Sequence, residues 1–371
     1  MRKLTVAAIA AAIAIPALVA APDAAAQSSS KTENSTALVK SFKKKKKETR
    51  EERERREGIE RGYATINERA ARAHIGYMAS DDLLGREAGQ PGNLAAGRYI
   101  ESFFIQQGLE PWDGGESYFQ PFDAYRKERQ KRARYQVHPD SIAILRQEVH
   151  QRIPMRNVMA RIEGVNPDEY VVIGAHYDHL GVDPLLEGDQ IYNGADDNAS
   201  GVQAVLQIAK AFAESGVKPQ RTIIFALWDG EEKGLLGSEH FMLAAPMRDK
   251  IKGYINFDMI GRNSDESNPE TLTYFYTEAY PLFEQWLRTD IDERGLNLKP
   301  DYRAWDRPIG GGDNGSFAKR DVPVIWYHTQ GHPDYHMPSD HADRINYGKM
   351  LDITRSAYLN LWQMADTPAY N

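Results

Sequence analysis

The sequence predicts an α/β fold in which a mixed, mostly parallel central sheet is flanked by helices on both faces. From about residue 157 onward, β-rich runs alternate with amphipathic helical segments, which is the pattern of such three-layer folds. The run IIFALW within 221–228 is apolar throughout, as expected for a strand covered by helices on both faces. With 371 residues, 41% of them hydrophobic, the chain can bury a large core.

Composition excludes several classes of protein. The formal net charge of −7 gives no overall basic character, so nucleic acid is not expected as a partner. The chain has no cysteine, which excludes a disulfide framework and lipidation at cysteine.

The first 26 residues are predicted to be a secretory signal peptide. Arg2 and Lys3 precede an apolar stretch over 4–21, and Ala24 and Ala26 fit an A-x-A cleavage site. A membrane anchor is the less favoured alternative because Pro16 interrupts the stretch. We therefore expect an exported protein, periplasmic or extracellular, without a stable membrane span after signal removal.

Residues 27–62 are predicted to be a charged, flexible leader that does not pack. A block of lysines over 43–47 is followed by alternating acids and bases with good helix-forming residues, so a solvated helix is one form it could take. A tether to an anionic surface and a removable pro-segment stay open as functions. The folded domain is expected over 63–371.

The elements of the domain follow from local patterns, in order. Helical spacing over 66–80 and 94–107 predicts N-terminal helices within 63–110, and an aromatic, Gly-rich packed loop follows over 108–122. Residues 123–153 are polar and basic without a clear period, which indicates a surface excursion. Strands are then predicted at 157–162, 170–176, 221–228, 251–260 and 322–327, and helices at 201–213, 235–243, 281–294 and 347–365. Ser200 is predicted to cap the first of these later helices.

Five motifs carry residues that could do chemistry. They are GAHYDH at 174–179, GADDNASG at 194–201, DGEEKG at 229–234, NFDMIGR at 256–262 and DYHMPSD at 334–340. His176, Glu231, Glu232 and Asp258 all fall at the carboxyl ends of predicted strands, where open α/β sheets collect their ligands. Two histidines and three carboxylates from these motifs would form a ligand set suited to Zn²⁺.

The histidine motif and the glutamate pair each combine a metal ligand with a partner. His176 and Asp178 lie two apart on an extended segment, so one can bind metal while the other orients it. His179 competes with His176, but its neighbours place it past the strand end. Of Glu231 and Glu232, one can bind metal while the other faces a water as general base.

The remaining ligands are less sharply specified. Asp196 and Asp197 both occupy the tight turn after Gly194, where a carboxylate could bridge two cations, and chemistry alone does not separate them. Asp258 lies in an apolar run, where a buried carboxylate needs a metal or a partner such as Arg262. His336 follows the last strand, with two rivals nearby, His328 and His332.

The motifs, in this order, resemble the M28 family of zinc aminopeptidases over about residues 73–365. The segment RAHIGYMASDDLLGREAGQPGNLAAGRYIESFF also resembles the N-terminal helices of exported members. The resemblance implies two Zn²⁺ ions per chain and peptide substrates with a free N-terminus. It implies that the metal ligands are His176, Asp197 as the bridge, Glu232, Asp258 and His336.

The same resemblance implies roles for three further residues. Asp178 would orient His176, Glu231 would be the general base on a metal-bridging water, and Tyr335 would steady the oxyanion, as a tyrosine does in some members. A cis peptide is implied between Asp197 and Asn198. N-terminal hydrolysis of peptides is the activity that follows.

Two departures from the family pattern and several alternative activities stay open. Residues 123–153 are too short for the protease-associated insert of many exported relatives, and Gly312, Asp313 and Asn314 stand where many relatives have S-D-H. The second departure puts in doubt a substrate contact by that histidine. Glutaminyl cyclisation, carboxypeptidase or dipeptidase action, and a non-catalytic binding domain remain alternatives.

Overall fold

The computed structural model describes residues 48–128, 134–305 and 311–370. The predicted signal peptide, residues 27–47 of the predicted leader, and residues 129–133 and 306–310 lie outside these ranges. No helix among the described residues is long and apolar enough to cross a membrane. The helices are α1 (Arg50–Ala64), α2 (Glu68–Met78), α3 (Pro91–Gln106), α4 (Pro139–Leu145), α5 (Gly201–Ser215), α6 (Leu236–Ala244), α7 (Leu282–Arg294), α8 (Asn314–Ala318) and α9 (Tyr347–Asp366).

The described strands form one nine-stranded mixed sheet and one small hairpin. The strands are β1 (Glu110–Pro111), β2 (Phe119–Lys127), β3 (His150–Ile162), β4 (Asn166–His176), β5 (Gly181–Val182), β6 (Ile191–Tyr192), β7 (Arg221–Trp228), β8 (Ile251–Phe257), β9 (Thr271–Thr277), β10 (Lys299–Trp305) and β11 (Val324–His328). The sheet runs β1-β3-β7-β4-β8-β11-β9-β10, with β2 also paired to β3. Its centre, β7-β4-β8-β11, is parallel, while β3 and β9 pair antiparallel on either side of it.

Helices cover both faces of the central strands, as the sequence predicts. Along β7, Ile223, Phe225 and Leu227 join the larger core with α5 and α9, since alternate side chains point to opposite faces. The alternate residues Ile224, Ala226 and Trp228 join a second core with α6 and α8. Complete burial on both faces explains the unbroken apolar run of this strand.

Most predicted elements are found, but the cap at Ser200 differs, and several strands, among them β9 and β10, are not predicted. Ser200 precedes α5, but its hydroxyl donates to the Asp196 carbonyl (2.7 Å) and accepts from the Ile260 amide (3.1 Å) instead of capping the helix. The side chain thereby ties the turn before α5 to the segment after β8. The edge strand β10 was not predicted, because most of its residues are exposed and Pro300 interrupts its pattern.

The leader differs from its prediction within the part that the structure describes. Residues 50–64 are helical as α1, but the helix packs on α5, and Gly58 and Gly62 are buried. A Cβ at Gly62 would lie 2.3 Å from the Ala211 carbonyl oxygen, so the two helices approach closely only because this position is glycine. The Tyr358 hydroxyl of α9 donates to the Ile59 carbonyl (2.9 Å). The compact unit therefore begins near residue 48, before the predicted boundary at 63.

The predicted surface excursion over 123–153 also has regular structure. Strand β2 pairs antiparallel with β3 from Phe119 opposite Val158 to Lys127 opposite His150. Helix α4 lies between the two strands in sequence. This hairpin extends the edge of the sheet, where one face of each strand meets solvent. Its many polar side chains therefore give no clear strand pattern in the sequence.

Candidate active site and metal centre

The parallel strands bring four of the predicted site residues to one edge of the sheet. His176 is the last residue of β4, and Asp258 directly follows β8. Glu231 and Glu232 follow β7 after a turn at Asp229 and Gly230. Because β7, β4 and β8 are neighbours and parallel, their carboxyl ends meet at the same place.

One group of three side chains is centred on His176. Its Nε2 lies 3.2 Å from Asp197 Oδ1 and 3.6 Å from Asp258 Oδ1. All three residues are buried, and their ligand atoms lie close enough together to share one ion. Arg262, the alternative partner for Asp258, instead pairs with Asp334 at 2.8 Å.

A second group lies on the other side of Asp197. His336 Nε2 is 3.1 Å from Asp197 Oδ2 and 3.3 Å from Glu232 Oε2. The two oxygens of Asp197 therefore face different histidines, which is the arrangement of a bridging carboxylate. Asp196 faces away, with its Oδ2 3.2 Å from His332 Nε2 and its Oδ1 accepting from the Gly261 amide. Geometry thus separates the two aspartates that the sequence left equivalent.

The spacing of the donor atoms fits zinc. Ligands about 2.0–2.1 Å from a tetrahedral ion lie about 3.3 Å from one another. The separations of 3.1 to 3.6 Å around His176 and His336 match this value. Nitrogen and carboxylate oxygen donors are also the ones that zinc accepts. The residues present therefore fit a pair of zinc ions that share Asp197.

His179 lies inside the second group, although the sequence prediction placed it past the strand end. It does follow the end of β4, where it forms a parallel bridge with Glu87 and its amide donates to the Arg86 carbonyl. Its Nδ1 is 2.7 Å from Glu232 Oε1 and 3.8 Å from Asp197 Oδ2. A group of His179, Asp197 and Glu232 could also hold an ion. The unequal distances fit a hydrogen bond to Glu232 better than a shared metal.

Asp178 contacts the glutamate turn more closely than it contacts His176. Its carboxylate accepts from the amides of Glu231 (3.0 Å) and Glu232 (3.3 Å). His176 Nδ1 lies 3.7 Å from this carboxylate, beyond hydrogen-bond range, and 3.2 Å from the Asp178 backbone oxygen. The side chain predicted to orient the histidine is thus placed to hold the two glutamates.

Glu231 and Tyr335 line a cavity of about 210 Å³ above the two groups. Burial raises the pKa of Glu231 well above its ordinary value. The Tyr335 ring stacks on His336 with 3.9 Å between centroids, and the tyrosine is 44% exposed. Burial and the neighbouring carboxylates raise the pKa of its hydroxyl, which keeps it protonated as a donor. The other residues lining the cavity are His176, Asp197, Asp258, Met259, Gly311, Trp326, His328, Gly331 and His336.

The two groups and their surroundings contain many buried carboxylates, which bound cations would stabilise. Burial raises the pKa of Asp258 and that of nearby Asp313, the latter to about 7. For Asp197, burial opposes ionisation, but the three histidines outweigh it and hold the pKa well below its usual range. Burial alone would lower the pKa of His336, but the carboxylates of Asp197 and Glu232 outweigh it and raise this pKa to about 10. Carboxylates crowded in this way are stabilised by metal ions or a bound ammonium group.

The departure at 312–314 has a structural consequence. A Cβ at Gly312 would lie 2.9 Å from Asp258 Oδ2, so the backbone approaches this ligand closely. Asp313 is buried, and its Oδ1 has no hydrogen-bond partner among the described residues. The sequence predicts no role for Asp313, because a single acid beside glycines gives no local sign of burial.

The two rival histidines take other positions. His328 Nδ1 lies 2.5 Å from the Asp258 carbonyl oxygen and His332 pairs with Asp196, so neither joins the two groups. His336 itself has φ of +56°, a left-handed conformation that is uncommon outside glycine. The Asp197–Asn198 peptide is cis, as the resemblance implies.

Comparison with known proteins shows which family this chain resembles. The profile of peptidase family M28 matches residues 157–359, more than half of the chain. Leupeptin-inactivating enzyme 1 of Streptomyces exfoliatus is 31% identical over 170 residues, which are 45% of this chain and 34% of that protein. An aminopeptidase of Pseudomonas aeruginosa is 39% identical over 115 residues, which are 30% of this chain and 19% of that protein. The chain thus spans about a third or less of these curated relatives.

Solved structures share the fold at lower identity. The LapA aminopeptidase of Legionella pneumophila has a TM-score of 0.60 and 21% identity, over 86% of this chain and 76% of that one. An aminopeptidase from Aneurinibacillus sp. strain AM-1 has a TM-score of 0.61 and 17% identity, over 84% and 97%. Porphyromonas gingivalis glutaminyl cyclase has a TM-score of 0.58 and 17% identity, over 80% and 98%.

Proposed function

This chain belongs to peptidase family M28, and we propose that it is a zinc-dependent aminopeptidase that removes N-terminal residues from peptides. The observation that carries the proposal is the position of Asp197. Its two oxygens face separate histidine–carboxylate groups, and Glu231 lines the same cavity. One site thereby combines places for two cations with a candidate base.

We propose that one zinc is held by His176, Asp197 and Asp258, and the other by Asp197, Glu232 and His336. When bound, the metal pair supplies Lewis acidity, which makes water a stronger acid and polarises a peptide carbonyl. His179 donates to Glu232 and fixes the direction of its carboxylate, a common support for a metal ligand. Asp178 holds the backbone of the glutamate pair in place.

Glu231 is the proposed general base. It takes a proton from the attacking water and returns that proton to the leaving amine as the peptide bond breaks. The Tyr335 hydroxyl, protonated and at the cavity rim, donates to the carbonyl oxygen as negative charge develops there. Neither role requires a large movement, because both side chains already line the cavity.

Selectivity for a chain terminus follows from charge and volume. The buried carboxylates favour the positive α-amine of a peptide as well as the metals. A cavity of about 210 Å³ is smaller than the roughly 300–1,000 Å³ of sites for drug-sized ligands. It suits the end of a peptide better than a long internal segment.

The test of the proposal combines metal content with a substitution at the base. We expect two zinc ions per chain and hydrolysis of Leu-, Ala- or Lys-p-nitroanilide. Glu231→Gln should keep both ions and lose about 10²–10⁴-fold in kcat, the usual contribution of a general base. Glu214→Gln, an exposed position on α5, is the matched control and should behave as wild type. A Glu231→Gln enzyme with near-normal turnover would exclude this residue as the base.

A substrate panel separates the proposal from the alternative activities. Two substrates that differ only in having a free or an acetylated N-terminus test for an aminopeptidase. An aminopeptidase should cleave only the substrate with the free N-terminus. A peptide that begins with glutamine tests cyclisation, the activity for which the Porphyromonas gingivalis glutaminyl cyclase is named. A peptide blocked at its N-terminus but free at its C-terminus tests carboxypeptidase action. Hydrolysis of the blocked peptides, or cyclisation alone, would contradict the proposal.

Export is also part of the proposal and rests on the sequence of residues 1–26. N-terminal sequencing of the protein from periplasmic and culture fractions should give a chain that begins near Gln27. Recovery of the intact chain in the cytoplasm alone would contradict export.

A further inference from the structure

Arg86 is a fully buried cation that binds backbone instead of an acid. Its side chain donates to four carbonyl oxygens: Tyr177 (2.9 Å), Asn193 (2.6 Å), Gly194 (3.0 Å) and Met78. The residue is 0% exposed. Burial lowers the pKa of Arg86 to about 10, so the guanidinium keeps its charge at neutral pH. Nearby carboxylates, with Asp197 the largest contributor, favour this charge electrostatically. A buried guanidinium that donates to carbonyls and not to a carboxylate is still costly, so its placement requires an explanation.

Three of the four carbonyls that Arg86 binds belong to the two loops that carry proposed metal ligands, and the fourth, that of Met78, ends α2. Tyr177 lies between His176 and Asp178. Asn193 and Gly194 begin the turn that leads to Asp197. One rigid guanidinium therefore joins the β4 loop to this turn at a point beyond the short β5–β6 ladder, in which Gly181 pairs with Tyr192.

Asp340 binds the backbone amides of the same turn. The Asp340 backbone oxygen accepts from the Ala195 amide at 3.0 Å. Its carboxylate accepts from the Asp196 amide (2.9 Å) and the Asp197 amide (3.0 Å). Arg86 thus binds the carbonyls of residues 193 and 194, and Asp340 binds the amides of residues 195 to 197. The two residues lie more than 250 positions apart in the sequence.

The turn needs support from outside because its own backbone is irregular. Asp197 and Asn198 have non-helical φ and ψ within the segment before α5. Gly194 has φ of +58°, and a Cβ there would lie 2.1 Å from the Asp197 carbonyl oxygen. Both metal sites depend on Asp197, and an error of about 0.5 Å in such a ligand is enough to weaken a site.

We propose that Arg86 and Asp340 are positioning residues that clamp the 193–197 turn and so fix the bridging carboxylate of Asp197 between His176 and His336. This inference rests on the proposed function for its kinetic consequences. Its effect on metal binding is independent of any substrate. Neither residue touches a metal ligand's carboxylate or imidazole through the contacts described above; both act through backbone.

The test uses two conservative substitutions and a matched control. Arg86→Lys keeps the charge but cannot reach three chain segments at once, and Asp340→Asn keeps the shape but replaces one acceptor oxygen by a donor. Arg221→Lys is the control: Arg221 is also buried and also donates to backbone carbonyls, those of Met364, Thr367 and Pro368. These carbonyls lie at the C-terminal end of the chain.

Zinc affinity is measured by competition with a chelator, together with the visible spectrum of the Co²⁺-substituted chain, kcat, KM and the thermal midpoint. We expect Arg86→Lys and Asp340→Asn to lose about 10–100-fold in zinc affinity, the usual effect of removing support from a ligand, and to change the Co²⁺ spectrum. Their kcat should fall by a similar factor with KM within about twofold. Arg221→Lys should lower the thermal midpoint alone.

The outcomes distinguish the inference from the function on which it rests. If Arg86→Lys matches Arg221→Lys in zinc affinity, Co²⁺ spectrum and kcat, the inference is overturned. If Arg86→Lys does not fold, Asp340→Asn decides by the same comparison. If the wild type cleaves no free N-terminus but the two variants still lose zinc, the proposed function fails and the clamp stands.

Discussion

Asp290, far in sequence from the five motifs, should make the stability of the fold depend on pH. It lies in α7 and is 5% exposed, with its Oδ2 accepting from Asn360 Nδ2 at 2.6 Å. Burial raises its pKa from 3.8 to about 7. Because the folded chain binds the proton more tightly than the unfolded chain, the full stability is present below pH 4. It is lost as the pH rises toward 7.

The magnitude follows from the size of the shift. About three pKa units at 1.36 kcal/mol each correspond to about 4 kcal/mol of stability lost above pH 7. Asp290→Asn removes the charge, keeps an acceptor for Asn360 and should abolish this loss. The unfolding free energy of the variant minus that of wild type should therefore increase by about 2–3 kcal/mol as the pH is raised from 5 to 8.

Urea unfolding of both chains at pH 5, 6, 7 and 8, with equal zinc loading, measures the effect. The site carboxylates titrate equally in the two chains, so the difference between the unfolding free energies isolates Asp290. A difference that stays constant across this pH range would show that the carboxyl titrates normally and would contradict the raised pKa.

Three further predictions concern the site and the packing of α1. Tyr335→Phe should lower kcat about 10²–10³-fold and leave zinc content and KM near wild type; an unchanged kcat would remove the tyrosine from the mechanism. His179→Gln should weaken zinc by about 10–100-fold, less than His336→Ala, in chelator competition; the reverse order would exchange the proposed ligand and its support. Gly62→Ala should destabilise the fold by about 1–3 kcal/mol because the methyl group meets the Ala211 carbonyl. Gly76→Ala, in α2 with open space around it, should stabilise by up to about 1 kcal/mol, and equal effects in urea unfolding would contradict the close approach of α1.

Local patterns were sufficient to predict the central fold. The strand at 221–228 was predicted at its observed bounds, and α9 to within one residue, because both are buried and have a clear period. Elements at the margins are missed where exposure removes the pattern, as in β10 and the β2–β3 hairpin. The buried strand β9 is also missed. The charged face of α1 predicted a solvated helix, since packing through two glycines leaves no apolar stripe in the sequence.

The sequence by itself determined which residue types arrive at the carboxyl edge of the sheet. His176, Glu231 and Asp258 follow apolar strands directly, so their position depends only on the sheet order. The resemblance then supplied an expected role for each.

Only the tertiary structure decided how the loops between strands meet. It separated Asp197 from Asp196, brought His179 beside Glu232 and placed Arg86 and Asp340 on either side of one turn. These contacts join residues far apart in the chain, and their energy comes from buried hydrogen bonds and charges that leave no periodic trace. Periodicity records which side of a segment is buried, whereas the orientation of a loop depends on the other segments that bind its backbone.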